Sequence, residues 1–223
     1  MNTPAHAVLN LWILGRKDRP GTALPIVIGS ILPDVPIFAF YAWAKLVERL
    51  PEPEIWSRAY LGWKGAWTID LLHSAPLVLA ALLLAWRLGL PRLTACFAGM
   101  ALHVPEDFFF HSEDAHRHFF PFSNWRFHSP VSYWDPSHYG RIVAPLEMAA
   151  VLVGCIVLFR RYESRAARWV IAAVMAMYGL FWGTRSGRGG NLIYSFVVAG
   201  SSINPCLFHS LRRNSQNRRR RPS

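Results

Sequence analysis

The sequence is short of charged residues for its length. Charged residues make up 17% of the 223 positions, whereas a soluble domain usually contains about 25%, so the chain has little polar surface to offer to water. Hydrophobic residues make up 52%, and the chain contains 10 Trp, 7 Tyr and 14 Phe. Because amphipathic aromatic rings are enriched at the depth of lipid headgroups, this composition favours a membrane protein over a soluble, aromatic-rich one.

Cysteine is also scarce, with three residues at positions 96, 155 and 206, all in apolar stretches. None of them forms a Cys-x-x-Cys pair, which excludes a disulfide framework and a thiolate zinc site of the usual spacing. We expect these cysteines to act as small apolar fillers. The first residues lack the basic region of a cleavable signal peptide, so none is expected.

Acidic residues are missing from the last part of the chain. Residues 184–223 hold eight Arg and no acid, and without them the net charge of +11 falls to +3. Such a basic tail can bind anionic lipid or nucleic acid, but the simpler interpretation is a weakly structured segment, and no specific nucleic-acid binding is expected. We therefore predict one helical membrane domain over residues 1–184 and a basic tail over residues 185–223.

No sustained strand-like alternation and no repeat of fixed period is present, so the predicted fold is all-α. We expect a multi-pass transmembrane bundle of about five to six apolar helices, several of them shorter than the roughly 20 residues that span a bilayer. The apolar segments cover residues 5–14, 24–44, 69–86, 93–110, 142–159, 169–184 and 191–208.

Three linkers are basic: residues 15–20, 87–92 and 160–168. The positive-inside bias places such linkers in the cytoplasm, which predicts an integral protein of the inner or cell membrane. Alternation of the spans then brings His6, His73, His103 and Asp107 toward the non-cytoplasmic end, while Asp34 lies within its apolar segment. Ionisable groups inside apolar helices usually face a cavity or each other.

The best local signal is the pair His103 and Asp107. Residues four apart share one face of a helix, so an imidazole and a carboxylate at this spacing can hold one cation between them. Glu106 lies beside them and is a candidate second oxygen ligand or general base. The alternative is a hydrogen-bonded His–Asp pair that satisfies two buried polar groups.

Two further motifs carry an acid or a histidine in an apolar setting. Asp70 and His73 share a helix face, so Asp70 is a candidate ligand, a residue that orients His73, or simply a helix cap. Asp34 stands between Pro33 and Pro36, where the helix must break, and its alternative role is that of a turn acid at the membrane surface.

A histidine-rich stretch follows the His103–Asp107 motif in the chain. It contains two acids and the histidines His111, His116, His118 and His128, which are candidates for further ligands, and it could instead bind an anionic substrate through Arg117 and Arg126. A solvated interfacial loop is the favoured interpretation for His111 and His128, whereas both interpretations stay open for His116 and His118.

Several common catalytic motifs are missing: the sequence contains no G-x-S-x-G, no P-loop and no dinucleotide-binding glycine pattern. Ser74 follows His73 directly, and neighbouring residues on a helix point about 100° apart. A nucleophilic serine is therefore not expected.

Taken in order, these motifs resemble the YdjM-type family of membrane-bound metal-dependent hydrolases. The family's pattern is an N-terminal Thr/His element, a G-x-L-x-P-D element, a T-H-S element and an H-x-x-x-D helix followed by a Pro-Phe-Ser stretch. The match covers roughly residues 1–135, although Pro36 replaces the usual second acid after Pro-Asp and the His-Arg-Gly lead-in to the T-H-S element is missing. The resemblance implies a hydrolase fold and a divalent metal ion but no particular substrate. The matching elements are residues 3–6, 29–34, 72–74, 103–107 and 121–123.

The resulting hypothesis is a membrane hydrolase with one zinc-type site, since imidazole and carboxylate ligands suit zinc or a similar divalent ion. The expected reaction is phosphoester hydrolysis with a membrane lipid as the accessible substrate, and Glu106 or Asp70 is the predicted general base. The rival hypothesis is a non-enzymatic protein in which the His/Asp network forms an ion or proton path or a structural scaffold. The predicted metal ligands are His6, Asp34, His73, His103 and Asp107.

Overall fold

The computed structural model describes residues 1–60 and 62–186, and the regular secondary structure in this part of the chain is all helical, with no strand. The all-α prediction is therefore confirmed for the described residues. The predicted segment 191–208 and nearly all of the basic tail lie outside them. The helices are α1 (Thr3–Leu14), α2 (Ala23–Ile31), α3 (Val35–Leu46), α4 (Glu52–Glu54), α5 (Trp67–Leu72), α6 (Ala75–Arg87), α7 (Pro91–Phe110), α8 (Gly140–Arg161) and α9 (Arg165–Ser186).

Helix α7 lies at the centre of the bundle and packs against α1, α2 and α6. Its contact with α2 is unusually close because glycine faces the partner on each side. A Cβ atom on Gly29 would lie 1.8 Å from the carbonyl oxygen of Cys96, and one on Gly99 would lie 2.5 Å from that of Ile26. Small residues allow helix backbones to approach in this way. Asn10 of α1 adds a buried hydrogen bond by donating from Nδ2 to the Gly99 carbonyl, at 3.2 Å.

Two of the apolar segments are broken, and each break carries a polar residue. A 3-10 turn, Leu32–Asp34, separates α2 from α3. Helices α5 and α6 meet at a 50° bend. Ser74 occupies the N-cap position of α6, where its Oγ accepts from the Leu77 backbone N–H, which satisfies one of the free donors at a helix start.

A second apolar core joins α1 to the last two helices. It contains Val8 of α1, Val151 and Leu158 of α8, and Ile171 of α9, all buried. Arg161, at the end of α8, donates to three carbonyls at the end of α1. The basic turn after α8 therefore lies beside the basic turn that follows α1.

The basic turns cluster at one end of the bundle. Arg16 and Arg19 of the first turn line the same surface cavity as Gly89 and Leu90 of the α6–α7 turn. Helix α7 starts at this end and runs for 20 residues, or about 30 Å at 1.5 Å per residue. Its histidines lie toward the opposite end.

Two helical stretches are long and apolar enough to cross a membrane: Pro20–Leu46 and Gly140–Arg161. The bent pair Lys64–Leu72 and Ala75–Arg87 is a third if it counts as one span. The membrane character of the sequence is thus supported, but the predicted five to six apolar spanning helices are not shown. Many large apolar side chains on these helices face outward, including Leu79, Leu84 and Trp86 at 55–64% exposure.

Candidate metal centre

Four side chains from three parts of the chain meet in the interior. Asp34 comes from the turn between α2 and α3, His73 from the break between α5 and α6, and His103 and Asp107 from consecutive turns of α7. Each of these residues is at least 93% buried. Each also offers one ligand atom within 4.8 Å of the others, so the group has the composition and size of a site for a metal ion.

The distances within this group suit a single small cation. The Nε2 atoms of His73 and His103 lie 3.1 Å apart, and they lie 3.2 Å and 3.0 Å from Asp107 Oδ2. Asp34 Oδ1 is 3.9 Å and 3.7 Å from the same two nitrogens. A tetrahedral zinc ion with bonds of about 2.0–2.1 Å sets its ligand atoms about 3.3–3.4 Å apart, and the observed distances bracket that value.

The hydrogen bonds on the far side of each ring fix which nitrogen carries the proton. His73 Nδ1 donates to the carbonyl of Ile69, and His103 Nδ1 donates to that of Ser30, both at 2.8 Å. Because a carbonyl can only accept, each neutral ring must present a bare lone pair at Nε2. Two lone pairs and two carboxylates then face one another, an arrangement that a cation, or protons shared between the groups, stabilises. A backbone carbonyl behind the ring is also the usual support of a metal-ligating histidine.

Asp34 is oriented by a contact from α1. The hydroxyl of Thr3 donates to Asp34 Oδ2, which leaves Oδ1 directed at the two imidazoles. The predicted ligands Asp34, His73, His103 and Asp107 are thus brought together.

His6, the fifth predicted ligand, also lies in the cluster but faces the other oxygen of Asp107. Its Nε2 lies 3.0 Å from Asp107 Oδ1 without being aligned for a hydrogen bond, and its ring stacks on that of His103 with centroids 3.8 Å apart. Its Nδ1 donates to Glu106 Oε2 at 2.5 Å. Glu106, a predicted general base, therefore holds His6 in place.

Asp70, the other predicted base, is engaged elsewhere. It is 3% exposed and accepts from the backbone N–H of Arg117 at 3.0 Å and from its Nε at 2.8 Å. Arg117 also donates from Nη1 to Asn124 Oδ1. This ion pair fastens the histidine-rich stretch to α5. It also means that Arg117, a candidate for binding an anionic substrate, is already paired with Asp70.

Three histidines of this stretch, His111, His116 and His118, are buried, so the solvated loop expected for His111 is not observed. Together with Asp107, His111 and His116 form a second group whose ligand atoms lie within 4.8 Å of one another. The position of His111 could have been found from sequence, because it follows Asp107 by four residues and therefore continues the helix face that carries His103 and Asp107. His128 donates from Nδ1 to the Ser112 carbonyl at 2.8 Å and belongs to neither group.

The electrostatic environment divides these histidines into two kinds. Burial opposes a charge on His111, but the carboxylates of Asp114 and Asp107 outweigh burial and raise the pKa of His111 to about 9. Burial and the nearby His73 lower the pKa of His118 to about 4. His118 is therefore neutral at pH 7, and its Nε2 has no hydrogen-bond partner.

Comparison of the chain with models of known families, with curated proteins and with solved structures found no match.

Proposed function

We propose that this chain is an integral membrane hydrolase that depends on a divalent, zinc-type metal ion and cleaves phosphoesters at the membrane face. The observation that carries the proposal is the orientation of His73 and His103, whose Nε2 lone pairs converge on Asp107 Oδ2. When bound there, a zinc-type ion supplies an activated water and stabilises developing negative charge. The resemblance to the YdjM-type hydrolases, which is itself part of the proposal, supports metal-dependent hydrolysis.

The membrane setting supports a substrate that is reached from the lipid phase. The basic turns lie at one end of the bundle and the histidine cluster toward the other. With the basic turns in the cytoplasm, the cluster faces the non-cytoplasmic side of the inner or cell membrane. The finer picture of a transmembrane bundle of about five to six apolar helices belongs to this proposal.

An apolar cavity next to the cluster supports a lipid as the substrate class. It has a volume of about 350 Å³ and is lined by α6 and α7 and by the stretch after α7, including Phe108, Phe109 and Phe119. His118 also lines it, and the His118 ring lies 6.2 Å from that of His73. An acyl chain in this cavity places its polar end beside the histidines.

The proposed division of roles follows from what each side chain already contacts. Asp34, His73, His103 and Asp107 hold the ion. Glu106 is better placed than Asp70 to move a proton, because Glu106 is bonded to His6 beside the cluster, whereas Asp70 is paired with Arg117. The negative charge of a phosphoester is then balanced by the ion, since Arg117 is committed to Asp70.

The non-enzymatic alternative keeps the same residues as a proton-bridged network or ion path. It differs from the proposal in one measurable respect: the network needs protons between its members and no tightly bound metal. An ion path also needs polar groups through the depth of the membrane, whereas the two candidate groups share Asp107 and lie together.

The test uses the full chain purified in detergent, with zinc content measured by mass spectrometry and hydrolysis of a chromogenic phosphodiester and of phospholipid vesicles followed in parallel. His103→Gln is expected to lose both zinc and hydrolysis. His138→Gln removes a histidine that pairs with Asp135 outside the cluster and is expected to keep both. Zinc-free, correctly folded wild-type protein would refute metal binding, and zinc-loaded protein inactive on every ester would refute hydrolysis.

A further inference from the structure

Asp107 presents its two carboxylate oxygens to two different sets of histidines. Oδ2 faces His73 and His103, at 3.2 Å and 3.0 Å. Oδ1 faces His6 and His111, with the two Nε2 atoms 3.0 Å and 3.1 Å away. A carboxylate placed in this way has the arrangement of a bridge between two cations.

The two histidines that face Oδ1 each donate a hydrogen bond from Nδ1 to a carboxylate, as metal-ligating histidines commonly do. His111 Nδ1 donates to Asp114 Oδ2 at 2.8 Å, and His6 Nδ1 donates to Glu106. A carboxylate behind the imidazole fixes the ring orientation and raises the basicity of the other nitrogen. Both rings therefore direct a basic Nε2 toward the same oxygen of Asp107.

His6 gives an independent sign that a ligand belongs on this side. Its side chain is 0% exposed, and its Nε2 lies 3.0 Å from Asp107 Oδ1 without the alignment of a hydrogen bond. A cation between His6, His111 and Asp107 Oδ1 would give this nitrogen a fully aligned partner.

We propose that the protein holds a second divalent ion between Asp107 Oδ1, His111 and His116, with His6 at its edge, so that Asp107 bridges a dinuclear centre. This inference rests on the proposed metal-dependent function and extends it. Ions in two-metal sites lie about 3.5–4 Å apart and together stabilise the attacking and leaving oxygens of a phosphoester displacement. The second ion also assigns a role to His111 and His116, which the first group leaves unused.

The competing explanation is a single metal ion with a structural hydrogen-bond network on the Oδ1 side. In that case His111 and His116 only orient Asp107. The two explanations differ in how many ions the chain binds and in whether the ions interact magnetically.

The experiment loads the purified full chain with Co²⁺ alone, counts the bound ions per chain, and records the EPR spectrum. Two ions with exchange coupling through Asp107 are expected for wild type. His116→Gln is expected to bind one ion and to show the signal of isolated Co²⁺, and His138→Gln is expected to behave as wild type. His111→Gln provides a second variant with the same expectation if His116→Gln does not fold.

The outcomes separate the two proposals. One Co²⁺ per chain in wild type, or two uncoupled ions, would overturn the dinuclear centre and leave the proposed function standing. Two ions retained in both His116→Gln and His111→Gln would also overturn the assigned ligands. Wild-type protein without any bound ion would overturn the dinuclear centre and the proposed function together.

Discussion

Gly29→Ala tests whether the close contact of α2 with α7 builds the metal centre. The new Cβ would lie 1.8 Å from the carbonyl oxygen of Cys96, whereas even tight contacts of this kind need 3.0 Å. The two helices must therefore separate by at least about 1.2 Å, because a backbone carbonyl in a helix cannot rotate away. Overpacking of this kind costs roughly 1–3 kcal/mol, occasionally more.

The same displacement acts on the ligands. Asp34 and the Ser30 carbonyl move with α2, while His103 moves with α7, so the 2.8 Å bond from His103 Nδ1 to Ser30 breaks. Metal sites tolerate deviations of about 0.2 Å in ligand distance. We expect Gly29→Ala to lose most of its bound zinc and to show a lower melting temperature in tryptophan fluorescence.

Gly179→Ala in α9 is the matched control, since a Cβ there meets no atom within 4 Å. It is expected to leave zinc content unchanged and to be neutral or to stabilise by roughly 0.5–1 kcal/mol. Gly29→Ala protein with wild-type zinc content and melting temperature would refute the reasoning.

Three further predictions concern single carboxylates. Asp70→Asn leaves Arg117 without its charged partner, so we expect destabilisation of about 3–5 kcal/mol in thermal unfolding, with normal zinc content in the folded fraction; a normal melting temperature would contradict the anchoring role. Glu106→Gln removes the proposed proton-moving group bonded to His6, and we expect kcat to fall about 10²–10⁴-fold with unchanged zinc content; an unchanged kcat would contradict that role. Burial opposes ionisation of Glu52, but hydrogen bonds from α3 outweigh it and lower the pKa of Glu52, so Glu52→Gln should cost about 0.2–1 kcal/mol at pH 7. That cost should vanish as the pH falls through the folded-state pKa, and a pH-independent difference would show that the charge is irrelevant.

Much of the first metal group could be predicted from sequence because a pattern within a few positions marks each of its residues. The spacing of His103 and Asp107 places both on one helix face, and the prolines around Asp34 mark a helix break. His73 stands just before Ser74, which starts a new helix. In each case a polar residue interrupts an apolar segment. Such residues usually face one another in the interior, because an ionisable group inside an apolar helix is costly without a polar partner.

The parts that the sequence did not predict depend on contacts between distant segments. Arg117 lies 47 positions from Asp70, and nothing in either motif indicates that they pair. The bond between His6 and Glu106 depends on the packing of α1 against α7. Among the described residues, two stretches, or three with the bent pair, are long and apolar enough to span a membrane, and hydropathy alone does not place a short apolar helix such as α1, which lacks the roughly 20 residues that cross a bilayer.

X-ray absorption at the zinc edge of the zinc-loaded protein tests the central claim most directly, because it reads the ligand atoms themselves. We expect only nitrogen and oxygen neighbours at about 2.0–2.1 Å, with the outer-shell signature of imidazole rings, and loss of the bound zinc in Asp107→Asn. A sulfur neighbour at about 2.3 Å, a spectrum without imidazole, or full zinc retention in Asp107→Asn would contradict a centre built from His73, His103 and Asp107.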